Sequence, residues 1–138
     1  MSDFVLDASV PLQWFLDDEV DREYSLGILA SLSERRATVP VQWFYEVGNC
    51  LVMAYRRKRI TLEQIGGFLM RLKTLPIDAA QEVPAEILEL PTLALSHGLT
   101  SYDAAYLATA SRLDLPLATA DRDLRRSATA VGVILVAV

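Results

Sequence analysis

The hexapeptide FVLDAS, residues 4–9, sets three apolar residues directly before Asp7. Consecutive apolar residues without alternation are typical of a short strand that is buried on both faces. A carboxylate directly after such a strand lies where α/β proteins bind their ligands, because the carboxyl ends of parallel strands form the binding edge. We therefore expect functional residues at Asp7 and at the ends of any further strands.

Strand and helix signals alternate along the rest of the chain. Short apolar strands are predicted over residues 3–7, 37–40, 75–78, 116–119 and 132–138. Helical spacing of apolar residues predicts helices over residues 9–16, 20–35, 42–58, 61–74, 84–97, 100–113 and 121–129. This alternation indicates an α/β fold, in which helices flank both faces of a mostly parallel central sheet.

Three local signals define helix ends. Thr61 and Gln64 have the spacing of a capping box. Pro91 is expected to kink the helix over 84–97 or divide it in two, and Gly98 is placed to end it.

Composition limits the classes of protein. A chain of 138 residues is expected to form a single domain over 1–138. The hydrophobic fraction of 52% is high for a small monomer, which predicts an apolar face covered by self-association or by a partner. No apolar run approaches the ~20 residues that span a bilayer, and no secretion signal begins the chain. Cys50 is the only cysteine, so an internal disulfide is excluded. With His97 as the only histidine, a Cys/His zinc site is not expected, and the cytoplasm is the expected compartment.

Four acids stand at predicted junctions between elements. Asp7 and Asp121 follow strands, Glu46 lies in the first turns of a helix, and Asp103 lies in the first turn of another. Their mutual repulsion in one pocket would be strongly destabilising unless cations or protons neutralised it. Clustered carboxylates without histidine suit Mg²⁺ or Mn²⁺, which prefer oxygen ligands.

Each acid also has a purely structural interpretation. Asp7 and Asp121 can cap the helices that follow them, and Asp103 can complete a capping box with Thr100. Glu46 lies near a helix N-terminus, where the helix dipole favours an acid. The positions alone leave both interpretations open.

Four segments are similar, in order, to one known family. They are FVLDAS (4–9), VQWFYEVGNCL (41–51), GLTSYDAAYLATA (98–110) and LPLATADRDL (115–124). Together they resemble the PIN-domain family, and specifically the VapC-type toxins of bacterial and archaeal toxin–antitoxin pairs. The resemblance covers nearly the whole chain, and its most specific part is YDAAYLATA followed by LATADRDL.

The resemblance implies a Mg²⁺- or Mn²⁺-dependent endoribonuclease, the toxin component of a type II pair, that hydrolyses RNA phosphodiesters with metal-activated water. In that family four acids form the catalytic, metal-binding site, and the matching positions here are Asp7, Glu46, Asp103 and Asp121. The same matching makes Ser9, Asn49 and Thr119 orienting residues around the metal ligands. Asp123 is either a ligand of a second ion or a solvated acid at a helix start.

The resemblance also implies partners. A VapB-like antitoxin is expected to lay a segment over the acidic pocket, and the toxins of this family commonly form homodimers. Trp14 and Trp43 are our candidates for partner contact. No membrane partner is expected.

The net charge of −5 argues against a general polyanion binder, so RNA contact requires cations or a local basic patch. Arg122, Arg125 and Arg126 are candidates near the last acid. The run RRKR, residues 56–59, lies ~15 Å along its helix from Glu46, so it either interacts with the helix C-terminus or holds a distant phosphate.

Two other classes stay open. One is a non-catalytic metal-binding interaction module, and the other is a phosphoacceptor receiver-like domain, which also gathers acids at strand ends. The receiver class fits less well, because an acid pair after the first strand and a lysine ending a later strand are both lacking. The acidic run Asp17, Asp18, Glu19 and Asp21 is interpreted as a solvated turn.

Overall fold

A computed structural model describes residues 3–16, 18 and 22–138, and it contains four strands and eight helices in these ranges. The strands are β1 (Phe4–Leu6), β2 (Ala37–Val39), β3 (Ile77–Ala79) and β4 (Leu117–Ala118). The helices are α1 (Ser9–Phe15), α2 (Glu23–Ser31), α3 (Gln42–Arg56), α4 (Leu62–Thr74), α5 (Pro84–Ile87), α6 (Leu90–His97), α7 (Ser101–Leu113) and α8 (Arg122–Val131).

The strands form one parallel sheet in the order β3-β2-β1-β4. β1 is a central strand, since it pairs with β2 through Phe4 and Ala37 and with β4 through Val5 and Leu117. Parallel crossovers are almost always right-handed, which places α1–α4 on one face of the sheet and α5–α7 on the other, because the last crossover runs back across the sheet. The predicted α/β fold with helices on both faces is confirmed.

The core lies around β1 and α7. Phe4, Leu6, Tyr106 and Leu117 are fully buried, and α7 packs against both β1 and β4. Burial of each such side chain contributes about 1.5–3 kcal/mol. The acids at the ends of β1, of β4 and at the start of α7 are therefore attached to the best-packed part of the molecule.

The helix-end predictions are confirmed. Thr61 and Gln64 form a complete capping box at the start of α4. The segment 84–97 is divided into α5 and α6, and Pro91 lies in the first turn of α6, where its missing N–H removes no helical hydrogen bond. Gly98 ends α6 in the left-handed region, with φ of 65°.

The predicted last strand, residues 132–138, is reduced to a single bridge between Leu117 and Leu135. Leu117 donates its N–H to the carbonyl oxygen of Ile134 at 2.8 Å and accepts one from Val136 at 2.9 Å. β4 contains only two residues, so it offers no ladder for a longer pairing.

The tryptophan prediction is wrong. Trp14 is 5% exposed and donates its indole N–H to the carbonyl oxygen of Ser25 at 2.6 Å, and Trp43 is 2% exposed. Both rings fill the core instead of offering an open surface to a partner.

Of the acidic run, Asp18 is exposed and accepts two hydrogen bonds from Arg59, at 2.7 and 2.9 Å, and the other three acids lie outside the described residues.

The strand order bears on the receiver-like alternative. In the order typical of that fold, β1 lies between β2 and β3, whereas here it lies between β2 and β4. The topology therefore disagrees with that class.

Each helix in the described ranges is too short or too polar to cross a bilayer.

Candidate active site

Asp7 lies directly after β1 and is 5% exposed. Its Oδ2 accepts hydrogen bonds from Ser9 Oγ at 2.6 Å and from Thr119 Oγ1 at 2.7 Å. Burial raises the pKa of Asp7 above its ordinary value, and the negative charges of Asp103 and Asp121 raise it further, while the two hydroxyl donors oppose the shift. This carboxylate is thus held in place by two donors and destabilised by its neighbours.

The loop after β4 is fastened to the start of α1 through the same hydroxyl groups. Thr119 Oγ1 accepts the N–H of Asp121 at 3.0 Å, and Ser9 Oγ accepts the N–H of Ala120 at 3.1 Å. Asp121 is the N-cap of α8, because its Oδ1 accepts the N–H of Leu124 at 2.8 Å. The structural interpretation of Asp121 is confirmed, and this role uses only one carboxylate oxygen.

Asp103 is half-buried in the first turn of α7. Its N–H donates to Thr100 Oγ1 at 3.1 Å, and its Oδ2 accepts the N–H of Thr100 at 3.4 Å, which completes the predicted capping box. The cap fixes the carboxylate at the N-terminal end of the helix that packs on β1.

Glu46 is half-buried on α3. Its Oε1 accepts hydrogen bonds from Gln42 Nε2 at 2.9 Å and from Tyr106 Oη at 2.8 Å. Burial raises the pKa of Glu46, and repulsion from Asp7 and Asp103 adds to the shift. Burial, followed by the charge of Glu46, raises the pKa of the Tyr106 hydroxyl, which therefore stays protonated and acts as a donor.

The four acids occupy one electrostatic neighbourhood. Asp7 is repelled by Asp103 and Asp121, and Glu46 is repelled by Asp7 and Asp103. They come from α3, from the start of α7 and from the ends of β1 and β4, so the fold gathers side chains that are remote in sequence.

In every one of these carboxylates, protein donors engage one oxygen and leave the other without a hydrogen bond from the described part of the chain. The engaged oxygens are Oδ2 of Asp7, Oε1 of Glu46, Oδ2 of Asp103 and Oδ1 of Asp121. An oxygen without a donor, on a carboxylate that repels its neighbours, is suited to a hard divalent cation.

The residues fit Mg²⁺ or Mn²⁺ in chemistry. Within the described ranges, no group of three or more His, Cys, Asp or Glu side chains is arranged to hold an ion by itself. Mg²⁺ does not require such a group, because it usually keeps several waters and binds through one or two carboxylates together with substrate phosphate. A partly hydrated ion therefore suits this pocket better than an ion enclosed by protein ligands.

The other predicted site residues lie further out. Asn49 is exposed on α3, and its side chain makes no hydrogen bond to the described residues. Asp123 is exposed and accepts a 2.9 Å hydrogen bond from Arg126 Nη1, so its charge is paired at the surface. In the described part of the chain, no hydrogen bond or ion pair joins Asn49 or Asp123 to the four acids.

The basic candidates separate into structural and exposed groups. Arg125 Nη1 donates to the carbonyl oxygen of Thr119 at 2.8 Å, and its guanidinium lies 5.1 Å from the ring centroid of Tyr24, so it supports the fold. Arg122 is exposed beside Asp121. Arg56, Lys58 and Arg59 of the run 56–59 line an open cavity of about 710 Å³ at the α3–α4 turn, and none of the four acids lines it.

Gln42 and Tyr106 are partners of Glu46 that the sequence alone does not predict. Both obey the helical rule that residues three or four apart share a face, since Gln42 lies four residues before Glu46 and Tyr106 three residues after Asp103. That spacing was the available signal. The contact that gives it meaning joins residues 60 positions apart and requires the tertiary fold.

The family model of the PIN domain matches residues 4–129, which include all four acids. The chain belongs to the PIN-domain family. This PIN domain is 37% identical over 84 residues to Ribonuclease VapC3 of Pyrobaculum aerophilum. That match covers 58% of this chain and 62% of the relative, so the aligned part spans less than two thirds of the relative's length.

Two solved structures share the fold of this PIN domain. PAE2754 from Pyrobaculum aerophilum superimposes with a TM-score of 0.70 at 23% identity, over 91% of this chain and 84% of that one. FitAcB from Neisseria gonorrhoeae superimposes with a TM-score of 0.63 at 19% identity, over 99% of this chain and 97% of that one. At these identities the likeness concerns the fold alone.

Proposed function

We propose that this PIN domain is a divalent-metal-dependent endoribonuclease and the toxin of a type II toxin–antitoxin pair. The observation that supports the proposal most is the cluster of four carboxylates. Protein donors engage one oxygen of each carboxylate, and each carboxylate is repelled by another member of the cluster. The similarity to Ribonuclease VapC3 supports RNA as the substrate. We further propose that residues 1–138 work as one domain in the cytoplasm.

Mg²⁺ or Mn²⁺ is the proposed cofactor, and Asp7, Glu46, Asp103 and Asp121 are the residues that would hold it. When bound, such an ion neutralises phosphate charge and makes a bound water more acidic. The carboxylates of the pocket repel an RNA phosphate when no cation is bound between them. The net charge of −5 gives the chain no general attraction for RNA.

In the proposed reaction, side chains of the protein orient the carboxylates, and a water molecule attacks the phosphodiester. Ser9 and Thr119 donate to Asp7 and so favour its ionised form. Cys50 lies one turn after Glu46, and burial together with that glutamate's charge raises the pKa of its thiol. The Cys50 thiol is therefore a poor nucleophile at neutral pH.

The decisive experiment maps cleavage of total RNA by the purified chain with Mg²⁺, with Mn²⁺ and with a chelator. Asp7→Asn and Asp103→Asn are expected to abolish cleavage while keeping the fold, since asparagine also caps helices and accepts hydrogen bonds. Asp78→Asn is the matched control, because Asp78 is an exposed acid on β3 that forms a salt bridge with Arg36. Full cleavage by both site variants would rule out the assignment.

A non-catalytic metal-binding module is the second candidate. It is favoured by the capping roles of Asp103 and Asp121, which give two of the acids a purpose independent of chemistry. Under this alternative Mn²⁺ raises the melting temperature of the wild-type chain, yet no RNA is cut under any metal condition.

Exposed apolar surface supports protein partners. α4 contains no buried residue, and a groove of about 260 Å³ between α3 and α4 is lined mostly by apolar side chains. Phe44 and Leu69 line this groove and are exposed. Contiguous apolar patches are uncommon on monomers, so we propose that an antitoxin and a second copy of the chain cover such surface.

Two measurements test these partners. Sedimentation equilibrium of the wild-type chain is expected to give a dimer, and a monomer at all concentrations would contradict self-association.

A short reading frame next to the gene should encode a DNA-binding protein that copurifies with the chain and blocks RNA cleavage. A copurifying product that leaves cleavage unchanged would contradict the antitoxin assignment.

A further inference from the structure

Two side chains converge on a single oxygen of Glu46. Tyr106, from α7, donates its hydroxyl hydrogen to Oε1 at 2.8 Å, and Gln42, from α3, donates an amide hydrogen to the same atom at 2.9 Å. Tyr106 is fully buried, so its ring is fixed by the core, and the position of its hydroxyl group is fixed with it. Glu46 Oε1 is thereby located relative to the best-packed helix of the molecule.

Gln42 also connects the two helices that provide acids. The same Nε2 atom donates to the backbone carbonyl oxygen of Tyr102 at 2.7 Å, and Tyr102 directly precedes Asp103. One amide group therefore holds Glu46 on α3 and the first turn of α7 in register. Movement of either helix would break one of its two hydrogen bonds.

Both donors leave Glu46 Oε2 without a hydrogen bond from the described residues. Hydrogen bonds to an ionised carboxylate are shorter and stronger than neutral ones, so two of them on Oε1 restrict the rotation of a flexible side chain. Partners of this kind, which orient a ligand through its second atom, typically change metal affinity or activity by about 10–100-fold when removed.

We propose that Tyr106 and Gln42 are positioning residues, which hold Glu46 by Oε1 so that Oε2 is presented to the divalent cation. The proposal rests on the metal-dependent function proposed above. A tyrosine hydroxyl that merely satisfies its own hydrogen bond in the core would affect stability and leave metal affinity unchanged.

The test compares two tyrosine variants in metal-free protein and without RNA. Tyr106→Phe removes the hydroxyl group and keeps the ring. Tyr24→Phe is the matched control, because Tyr24 is half-buried and donates a 2.8 Å hydrogen bond to the carbonyl oxygen of Val136 and not to any of the four acids. By titration calorimetry, Tyr106→Phe is expected to weaken Mn²⁺ binding at least ~10-fold, with Tyr24→Phe within about twofold of wild type.

A double-mutant cycle identifies the path of the effect. In a Glu46→Ala background, Tyr106→Phe is expected to leave the remaining Mn²⁺ affinity unchanged, because the group it positions is gone. An equal loss of affinity in both backgrounds would overturn the proposal. Gln42→Met, which removes the amide donors on the partly exposed side of the pair, is expected to weaken Mn²⁺ binding as well, and it decides the question if Tyr106→Phe does not fold.

The outcomes separate the two proposals. Wild-type Mn²⁺ binding without RNA cleavage would refute the nuclease function and leave the positioning role to be decided by the variants. RNA cleavage by wild type, together with unchanged Mn²⁺ affinity in Tyr106→Phe and Gln42→Met, would refute the positioning role alone. Absence of Mn²⁺ binding by the wild-type chain would refute both.

Discussion

The hydroxyl group of Thr119 donates a 2.7 Å hydrogen bond to Oδ2 of Asp7, which lies 112 positions earlier in the chain. The two residues follow β4 and β1, which are neighbours in the sheet. The same hydroxyl oxygen accepts the N–H of Asp121 at 3.0 Å. A single fully buried side chain therefore connects two of the four acids.

Thr119→Val should destabilise the protein by about 1–3 kcal/mol, because it removes a donor from a buried carboxylate and an acceptor from the Asp121 N–H while keeping the shape of the side chain. Urea unfolding at neutral pH measures the effect. Thr109→Val is the control, since Thr109 is also buried but donates only to the carbonyl oxygen of Ala105 within α7. Equal losses in the two variants would contradict a special role for Thr119.

The stability of the metal-free protein should depend on pH through Asp7. Burial, reinforced by Asp103 and Asp121, raises the pKa of Asp7 above 3.8 in the folded state, so between the two values the folded state binds more protons than the unfolded state. This contribution to stability is fully present below the unfolded pKa and is lost as the pH rises through the folded pKa.

The matched variant for this test is Asp7→Asn, which cannot ionise. The free energy of unfolding of wild type minus that of Asp7→Asn should be largest below pH ~4, where Asp7 is protonated in both states, and should decrease as the pH rises. Urea titrations of chelator-treated protein at several pH values measure this difference, in which the titration of Glu46 largely cancels. A difference that increases with pH would show that the sign is wrong.

The two roles of Asp121 should separate by substitution. Asp121→Asn keeps a side-chain oxygen for the Leu124 N–H and should change stability little, whereas Asp121→Ala should cost about 0.5–2 kcal/mol through loss of the α8 cap. Both variants should bind Mn²⁺ more weakly than wild type, because both lose the carboxylate charge. Retention of wild-type affinity in Asp121→Asn would remove this residue from the proposed metal ligands.

Divalent metal should stabilise the folded protein. At 100 times its dissociation constant, a ligand that binds only the folded state adds about 2.7 kcal/mol, which for a domain of this size corresponds to about 10 °C in Tm. Thermal unfolding with Mn²⁺ and with a chelator measures the shift. The double variant Asp7→Asn, Asp103→Asn should lose most of it, and an unchanged shift would place the metal elsewhere.

Much of the fold could be predicted because its signals are local. The strand before Asp7, the capping boxes at Thr61 and Thr100 and the left-handed Gly98 each depend on a few neighbouring residues. The four acids could be named because each lies at or near the end of a predicted element, and because the motifs around them resemble a known family.

The remaining features depend on contacts between distant elements. Periodicity does not distinguish a core tryptophan from an interface one, so Trp14 and Trp43 are candidates for partner contact in the sequence although both are buried. The segment 132–138 has the apolar composition of a strand but finds only two residues of β4 beside it. Tyr106 has a recognisable ring, yet its contact with Glu46 depends on the approach of α3 to the start of α7, which is seen in the hydrogen bonds Tyr106–Glu46 and Gln42–Tyr102.

α4 is a complete helix in which no residue is fully buried, and its Ile65, Phe68 and Leu72 are only partly buried against the core. Such an element opens locally at a lower free energy than a sheet whose central strand is fully enclosed. Its amide hydrogens will therefore exchange with deuterium sooner than those of β1. A ligand or partner that binds in the neighbouring groove will slow that exchange. Hydrogen exchange of α4 therefore reports binding in the groove without a label and without knowing the ligand.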